Sequence, residues 1–428
     1  MADTEPPRKK LKVKERKIFE SKKFVEDTCS CPTFLKYQLS LRALGFYDVP
    51  SSWTKKWYTS LKLLNKIQYA STDAIFNLEF SPDGKYLVAA CENSDITLFD
   101  PCIHKKLRSV NNAHKDSVNC ISFLDTITFA SCSDDKTVSL WDVRNLKTNI
   151  VNLKGHSSWV KSIHYCSKTG QLISSAFDDT VRTWNVNENY KNGEVKSNKV
   201  LNVPYLTRTK ISNDASQLFV ATTTGFLFII HNLNLKTLKL DTKEELHNLA
   251  ASFNPRKRKV PFKDVRNTNT IEFLNDYPSD SKPWCIASIQ IHPSGNTILS
   301  RYTNQNASSE WSVIHDTQPD TGPLFFKMSR LQSYIEEPNL ASGFIKELCY
   351  NQDGRIICSP FGNSIRLLAY DRNCNDLVEC YQNPSPLVEI GFVTSHKNSV
   401  LTTRFSPTLP ILASGCLGGQ VSFYQPRF

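Results

Sequence analysis

Short runs in which apolar and polar residues alternate recur along most of the chain, each closed by turn-forming residues. Ile75-Phe76-Asn77-Leu78-Glu79-Phe80 is the first, followed by the turn Ser81-Pro82-Asp83-Gly84 and, further on, by Leu98-Phe99-Asp100. A period of two, rich in β-branched and aromatic side chains, predicts strands. Seven such segments can be marked. Two clear ones run from His114 to Asp142 and from His156 to Asn185. A fourth covers about 205–233 and keeps the turn Asn213-Asp214, and a fifth covers about 285–316 and keeps His292-Pro293-Ser294-Gly295. The sixth spans about 344–371 around Gln352-Asp353-Gly354, and the seventh runs from His396 to Phe423-Tyr424.

The two clear segments share a polar frame. His114, Ser131, Asp135 and Trp141-Asp142 in one match His156, Ser174, Asp178 and Trp184-Asn185 in the other, with serine and aspartate ten and six residues before each tryptophan. At this spacing the four side chains can form a hydrogen-bonded chain from the loop before the first strand of a four-stranded blade to its third strand. Such a chain is tolerated in a core only when every member is satisfied. His114, Ser131 and Asp135 have the composition of a catalytic triad, but a tryptophan at fixed spacing makes them a brace, since triads are defined by geometry and role. This is a WD40 signature. It predicts an all-β chain folded as a seven-bladed WD40 β-propeller, because one blade cannot bury both its faces alone. In the seventh segment Gly418 stands where the aspartate belongs and Tyr424 where the tryptophan belongs. Blades without the polar frame are expected to rely on apolar packing. The last blade also lacks sequence for a fourth strand, and Leu63 to Tyr69 is the expected donor, closing the ring and removing an edge.

Three regions are expected: a basic tail over 1–30, an α-helical extension over 31–62, and the propeller over 63–428 with a flexible insert over 235–282. Two helix-like pieces, Phe34 to Leu44 and Ser52 to Leu64, make up the extension; the second places Trp53, Trp57, Tyr58, Leu61 and Leu64 on one apolar stripe. The stripe can pack on its own domain or insert into a partner's groove.

Net charge is +11 over 428 residues, but the tails carry part of it, in Pro6-Pro7-Arg8-Lys9-Lys10-Leu11-Lys12 and in Arg256 to Lys259. Arg8, Lys9, Lys10 and Lys12 read as a nuclear import signal, which predicts a nuclear and cytoplasmic protein with the nucleus favoured. Without an aromatic stacking platform beside the cluster, direct nucleic-acid binding is disfavoured. The thirteen scattered cysteines come with a charged N-terminus and no secretory signal, so reduced thiols inside the cell are expected. No apolar run approaches the ~20 residues that cross a bilayer, and the cysteines lack the second ligand pair of a zinc site. No membrane, metal or cofactor is expected.

Trp141-Asp142-Val143-Arg144 matches the WDxR box of the cullin-4-associated factors. These are WD40 substrate receptors that dock on the damaged-DNA-binding protein 1 adaptor of cullin-4 RING ubiquitin ligases. Longer stretches resemble the same family: Ala74 to Gly84, Tyr334-Ile335-Glu336-Glu337, Ile345 to Cys349, and Ala413-Ser414-Gly415-Cys416 through Tyr424-Gln425-Pro426. The resemblance covers nearly all of 74–428; the first 60 residues match poorly. It implies a non-catalytic receptor, with Arg144, Asp142, Trp53 and Trp57 as adaptor contacts and a protein substrate held on another face. Trp159, just before the first strand of blade three, is a candidate there. The alternative is a non-catalytic WD40 scaffold in a nuclear chromatin or RNA-processing complex.

Overall fold

The second strand of blade one, Leu87–Cys91, is buried along its whole length, as are Leu218–Thr222 and Leu227–His231 of blade four. A strand covered on both faces has no solvent-facing set, so its sequence is a continuous apolar run and not an alternation. The outer strand of blade six, Val388–Thr394, has no buried residue and alternates instead.

The computed structural model describes residues 58–68, 73–186, 195, 197–241, 269–278, 281–318, 329–340, 346–375 and 384–426. They form seven antiparallel blades. Blade one is Ile75–Phe80, Leu87–Cys91, Ile96–Asp100 and Lys105–Val110; blade two is Val118–Phe123, Thr128–Ser133, Thr137–Asp142 and Val151–Lys154. Blade three is Val160–Cys166, Gln171–Ala176, Thr180–Asn185 and Ser197–Asn202; blade four is Leu206–Ile211, Leu218–Thr222, Leu227–His231 and Thr270–Leu274. Blade five is Pro283–Ile291, Thr297–Asn304, Ser309–Asp316 and Leu331–Pro338, and blade six is Cys349–Tyr350, Ile356–Phe361, Ser364–Ala369 and Val388–Thr394. First strands of neighbouring blades meet around the central axis. An apolar cluster fills each of the seven interfaces; Val88, Ala90, Ile96 and Leu98 of blade one, for example, pack on Val118, Ile121, Phe129 and Trp141 of blade two. Turns seal the same interfaces: at Gly354, φ +76°, a Cβ would lie 1.9 Å from His292 Nε2, so the blade-six turn can rest on blade five only without a side chain.

Blade seven combines Val400–Phe405, Leu412–Cys416 and Gln420–Pro426 with a fourth strand, Leu61–Gln68, paired antiparallel from Leu61 opposite Pro426 to Gln68 opposite Gln420. The ring is closed by the N-terminal strand, as the missing fourth strand required. The helix-like reading of Ser52 to Leu64, and the extension's boundary at 62, fail at their C-terminal end. An unpaired strand edge offers a row of backbone partners that a local helix cannot use. Leu61 is buried among Ile356, Cys358, Leu412 and Tyr424, and the Tyr58 ring meets Phe405 edge-on at 5.5 Å. This end of the apolar stripe therefore packs on its own ring. Trp53 and Trp57, the rest of 31–57, and Arg8, Lys9, Lys10 and Lys12 lie outside the described residues.

The insert is narrower than 235–282. Leu238–Asp241 form a single helical turn with Leu238 fully buried, and Thr270–Leu274 is the outer strand of blade four. Residues 242–268 lie outside the described residues.

Blades five and six also depart from the expected reliance on apolar packing. Arg301 Nη2 lies 2.6 Å from Glu310 Oε2 and 2.7 Å from Glu337 Oε2, and its Nη1 donates to Ser359 Oγ at 2.8 Å. Lys346 Nζ reaches Glu310 Oε1 at 2.5 Å, and Arg366 of blade six pairs with Glu337. Glu337 is fully buried, so a linked set of ion pairs does between these blades what the His-Ser-Asp-Trp brace does elsewhere. A short segment, Ser385–Pro386, lies parallel to the outer strand of blade five before the chain returns as the outer strand of blade six.

Candidate functional site

The structure brings both predicted tetrads together. Trp141 Nε1 donates to Ser131 Oγ at 2.9 Å, Ser131 Oγ lies 2.7 Å from His114 Nε2, and His114 Nδ1 lies 3.0 Å from Asp135 Oδ2. In blade three the matching distances are 2.8, 2.7 and 3.0 Å for Trp184, Ser174, His156 and Asp178. An ionised carboxylate can only accept, which assigns the proton to Nδ1 and leaves Nε2 to accept from the serine hydroxyl, so every member is satisfied. Burial works to raise the carboxyl pKa of Asp135, but the His114, Lys115 N–H and Thr137 hydrogen bonds outweigh it and hold it below the ordinary range. Ser131 is fully buried and already engaged, so the group is a brace with no path to a substrate. Replacing Asp135 with alanine strands His114 Nδ1 and is expected to destabilise the chain by about 1–3 kcal/mol in chemical denaturation, with the brace reading lost if the variant unfolds like the parent.

Blade seven keeps half of the device. His396 Nε2 lies 2.6 Å from Ser414 Oγ, which lies 2.7 Å from Tyr424 Oη, while His396 Nδ1 has no hydrogen-bond partner among the described residues. Burial lowers the His396 pKa to about 4, and that of His315, whose Nε2 donates to the Asp276 carbonyl, to about 4 as well. Both are neutral at pH 7. The unfolded chain, with histidines near 6.5, binds more protons between pH ~6.5 and ~4, so stability falls as pH falls through that window. Asp135 and Asp178, held low in the fold, give up their contribution only below pH ~4. Thermal melting is expected to drop between pH 7 and pH 5; a flat profile there contradicts the neutral buried imidazoles.

All third strands end on one face of the ring, here the lower face, and Trp141-Asp142 closes the third strand of blade two there. The turn that follows holds Arg144. Asp142 Oδ1 accepts from the Arg144 N–H at 2.8 Å and from Nε at 3.0 Å, while Nη2 reaches Asp142 Oδ2 at 2.6 Å. These hydrogen bonds from Arg144 lower the Asp142 pKa. The Arg144 side chain is 66% exposed, so Asp142 fixes its direction without covering it. From blade one, Arg108 Nη1 donates to the Arg144 carbonyl at 2.8 Å, which ties that outer strand to the turn. Leu107 and Ile150, on that strand and in the same loop of blade two, are exposed apolar residues. No sequence spacing pointed to Arg108, because its partner belongs to the next blade.

Leu61, opposite Pro426 at the end of the blade-seven third strand, enters the ring on this same lower face. Only blade one separates that point from the Arg144 turn.

Trp159 lies on the opposite, upper face, 48% exposed, with its ring 6.1 Å from that of Phe177. Lys161 Nζ sits 4.9 Å from the Trp159 centroid and 2.7 Å from Asp134 Oδ1, so a cation already covers this ring.

The family model described as WD domain, G-beta repeat matches residues 62–100, 105–142 and 147–185. Each match begins with the outer strand of the preceding blade, the same one-strand offset that closes the ring. The chain is 39% identical over 380 residues to DDB1- and CUL4-associated factor 10 of Danio rerio, covering 83% of this chain and 75% of that protein. It is 38% identical over 397 residues to DDB1- and CUL4-associated factor 10 of Homo sapiens, covering 83% and 70%. Among solved structures, the Cps50 (Swd1) β-propeller domain of Myceliophteria thermophila superposes with a TM-score of 0.57 at 12% identity, over 85% of this chain and 99% of that one. That likeness bears on the fold alone.

Proposed function

Because the chain belongs to the DDB1- and CUL4-associated factor 10 family, we propose that it is a non-catalytic substrate receptor, docking on the DDB1 adaptor of a CUL4 ubiquitin ligase and presenting a protein for ubiquitination. The observation that carries this reading is the shared lower face. The Arg144 turn and the point where the N-terminal extension joins the ring lie there together, so one partner surface can hold both. A guanidinium already oriented by Asp142 loses little freedom on binding and offers planar, bidentate hydrogen bonds. The upper face, with Trp159 and Phe177, is then left for the substrate. Affinity capture of the full chain from cells is expected to recover DDB1 and CUL4. Recovery of a chromatin or RNA-processing assembly without them would replace the receptor with a scaffold.

The basic runs at Arg8 to Lys12 and Arg256 to Lys259 support nuclear import as part of the same reading. Alanine at Arg8, Lys9, Lys10 and Lys12 is expected to move a tagged chain toward the cytoplasm without altering its melting. The import role fails if nuclear signal persists when both clusters are replaced.

A further inference from the structure

The first strands of six blades and the segment just before that of blade six surround a polar cavity of about 40 Å³ on the axis, lined among others by Glu79, Ser122, His164, Lys210, Glu347 and Arg404. Its two carboxylates are each matched to a guanidinium. Arg404 Nη2 lies 2.6 Å from Glu79 Oε1, and Arg208 Nη2 lies 2.8 Å from Glu347 Oε1, whose other oxygen accepts from Gln290 at 2.9 Å. Lys210, two residues beyond Arg208 on the same strand, adds a third positive charge. Its ammonium has neither a hydrogen bond nor an ion pair within 4.0 Å among the described residues. The chain thus encloses one cation without supplying its anion.

Confining a charge away from bulk water is costly unless something pairs with it. Burial, reinforced by the neighbouring Arg404 charge, holds the Lys210 pKa below the ordinary lysine range, and burial keeps His164 neutral. A hydroxyl donor lines the same space. Ser122 Oγ accepts the Tyr165 N–H at 3.2 Å, which leaves its own O–H to give, whereas His164 Nε2 already lies 3.3 Å from Ser162 Oγ, whose hydroxyl donates to the Thr209 carbonyl. One enclosed water needs roughly 10–15 Å³, so the space holds a few waters or one small oxyanion and excludes anything larger.

We propose that this cavity is a binding site for a small oxyanion of the size of phosphate, held by the Lys210 ammonium with the Ser122 hydroxyl as a hydrogen-bond donor. An anion there touches blades two and four and stabilises the ring from its axis. The site is independent of the receptor reading, since it uses no residue of the lower rim.

Inorganic phosphate is the probe, exchanged against chloride at constant ionic strength and pH on the full-length chain. The wild-type melting temperature is expected to rise by about 3 °C or more by about 20 mM phosphate. Isothermal titration should give one site per chain. Lys210→Met should show no heat and no phosphate-specific rise, whereas Lys210→Arg should keep both. Equal rises in wild type and Lys210→Met, or no heat with the wild type, overturn the proposal and leave the cavity to water. Should Lys210→Met fail to fold, Lys210→Gln carries the same comparison.

Discussion

Arg144→Glu is expected to melt close to the parent yet lose DDB1 in pull-down, with affinity lowered about tenfold to a hundredfold, the range of an interface hot spot. The separation follows from where the side chain sits. Arg144 is two-thirds exposed, and its ion pair with Asp142 is screened by solvent, so removing the pair changes folding little. The Arg108 contact goes to the Arg144 backbone carbonyl and survives the substitution. Reversing the charge turns an oriented donor fork into a second carboxylate beside Asp142, which repels any acceptor a partner brings. Arg144→Lys keeps the charge but not the planar fork and should be intermediate. Asp142→Asn tests orientation by itself: adaptor binding should weaken, although the residue need not touch the adaptor. Full binding by Arg144→Glu would assign the contact to the N-terminal extension instead.

The largest loss of stability is expected at Glu337. Its carboxylate is fully buried and pairs with Arg301 at 2.7 Å and with Arg366, so Glu337→Ala leaves two enclosed guanidinium groups short of an acceptor. Breaking a buried pair on one side costs about 3–5 kcal/mol. That is more than Asp135→Ala should cost, because the latter strands a single imidazole nitrogen and not two guanidinium groups. Chemical denaturation of both variants checks the order; a Glu337→Ala chain as stable as Asp135→Ala would mean the network adds little to the seam between blades five and six. Glu337→Gln keeps shape and one acceptor and should fall between.

The contrast between these residues shows what a sequence can display. His114, Ser131, Asp135 and Trp141 lie on adjacent strands of one blade, so their hydrogen bonds impose fixed intervals that can be read directly. The need for a donated strand was legible from counting, since blade seven ended one strand short. Arg301, Glu310, Glu337, Lys346 and Arg366 follow no such interval, because their bonds join three strands of blade five to Lys346 and to blade six, between residues 9 to 36 positions apart. Thr270–Leu274 was hidden for a related reason: the residues between 242 and 268 separate it from the strand it completes, and five residues carry too short a pattern to stand out. At the rim, Trp141-Asp142-Val143-Arg144 was visible, but the clamp of Asp142 on Arg144 depends on the turn's geometry and not on the letters.

Closure by the N-terminal strand also sets an order of events during synthesis. Leu61–Gln68 leaves the ribosome before any blade, yet its partner, Gln420–Pro426, follows the other six blades. At about 5–20 residues per second the early strand waits on the order of half a minute with its edge unpaired. Because that strand also carries the extension to the lower face, a chain cut short before blade seven has nothing to fix the extension to the rim. Ring completion therefore works as a test of integrity: only a molecule that has made blade seven holds the Arg144 turn and the root of the extension in register on one face.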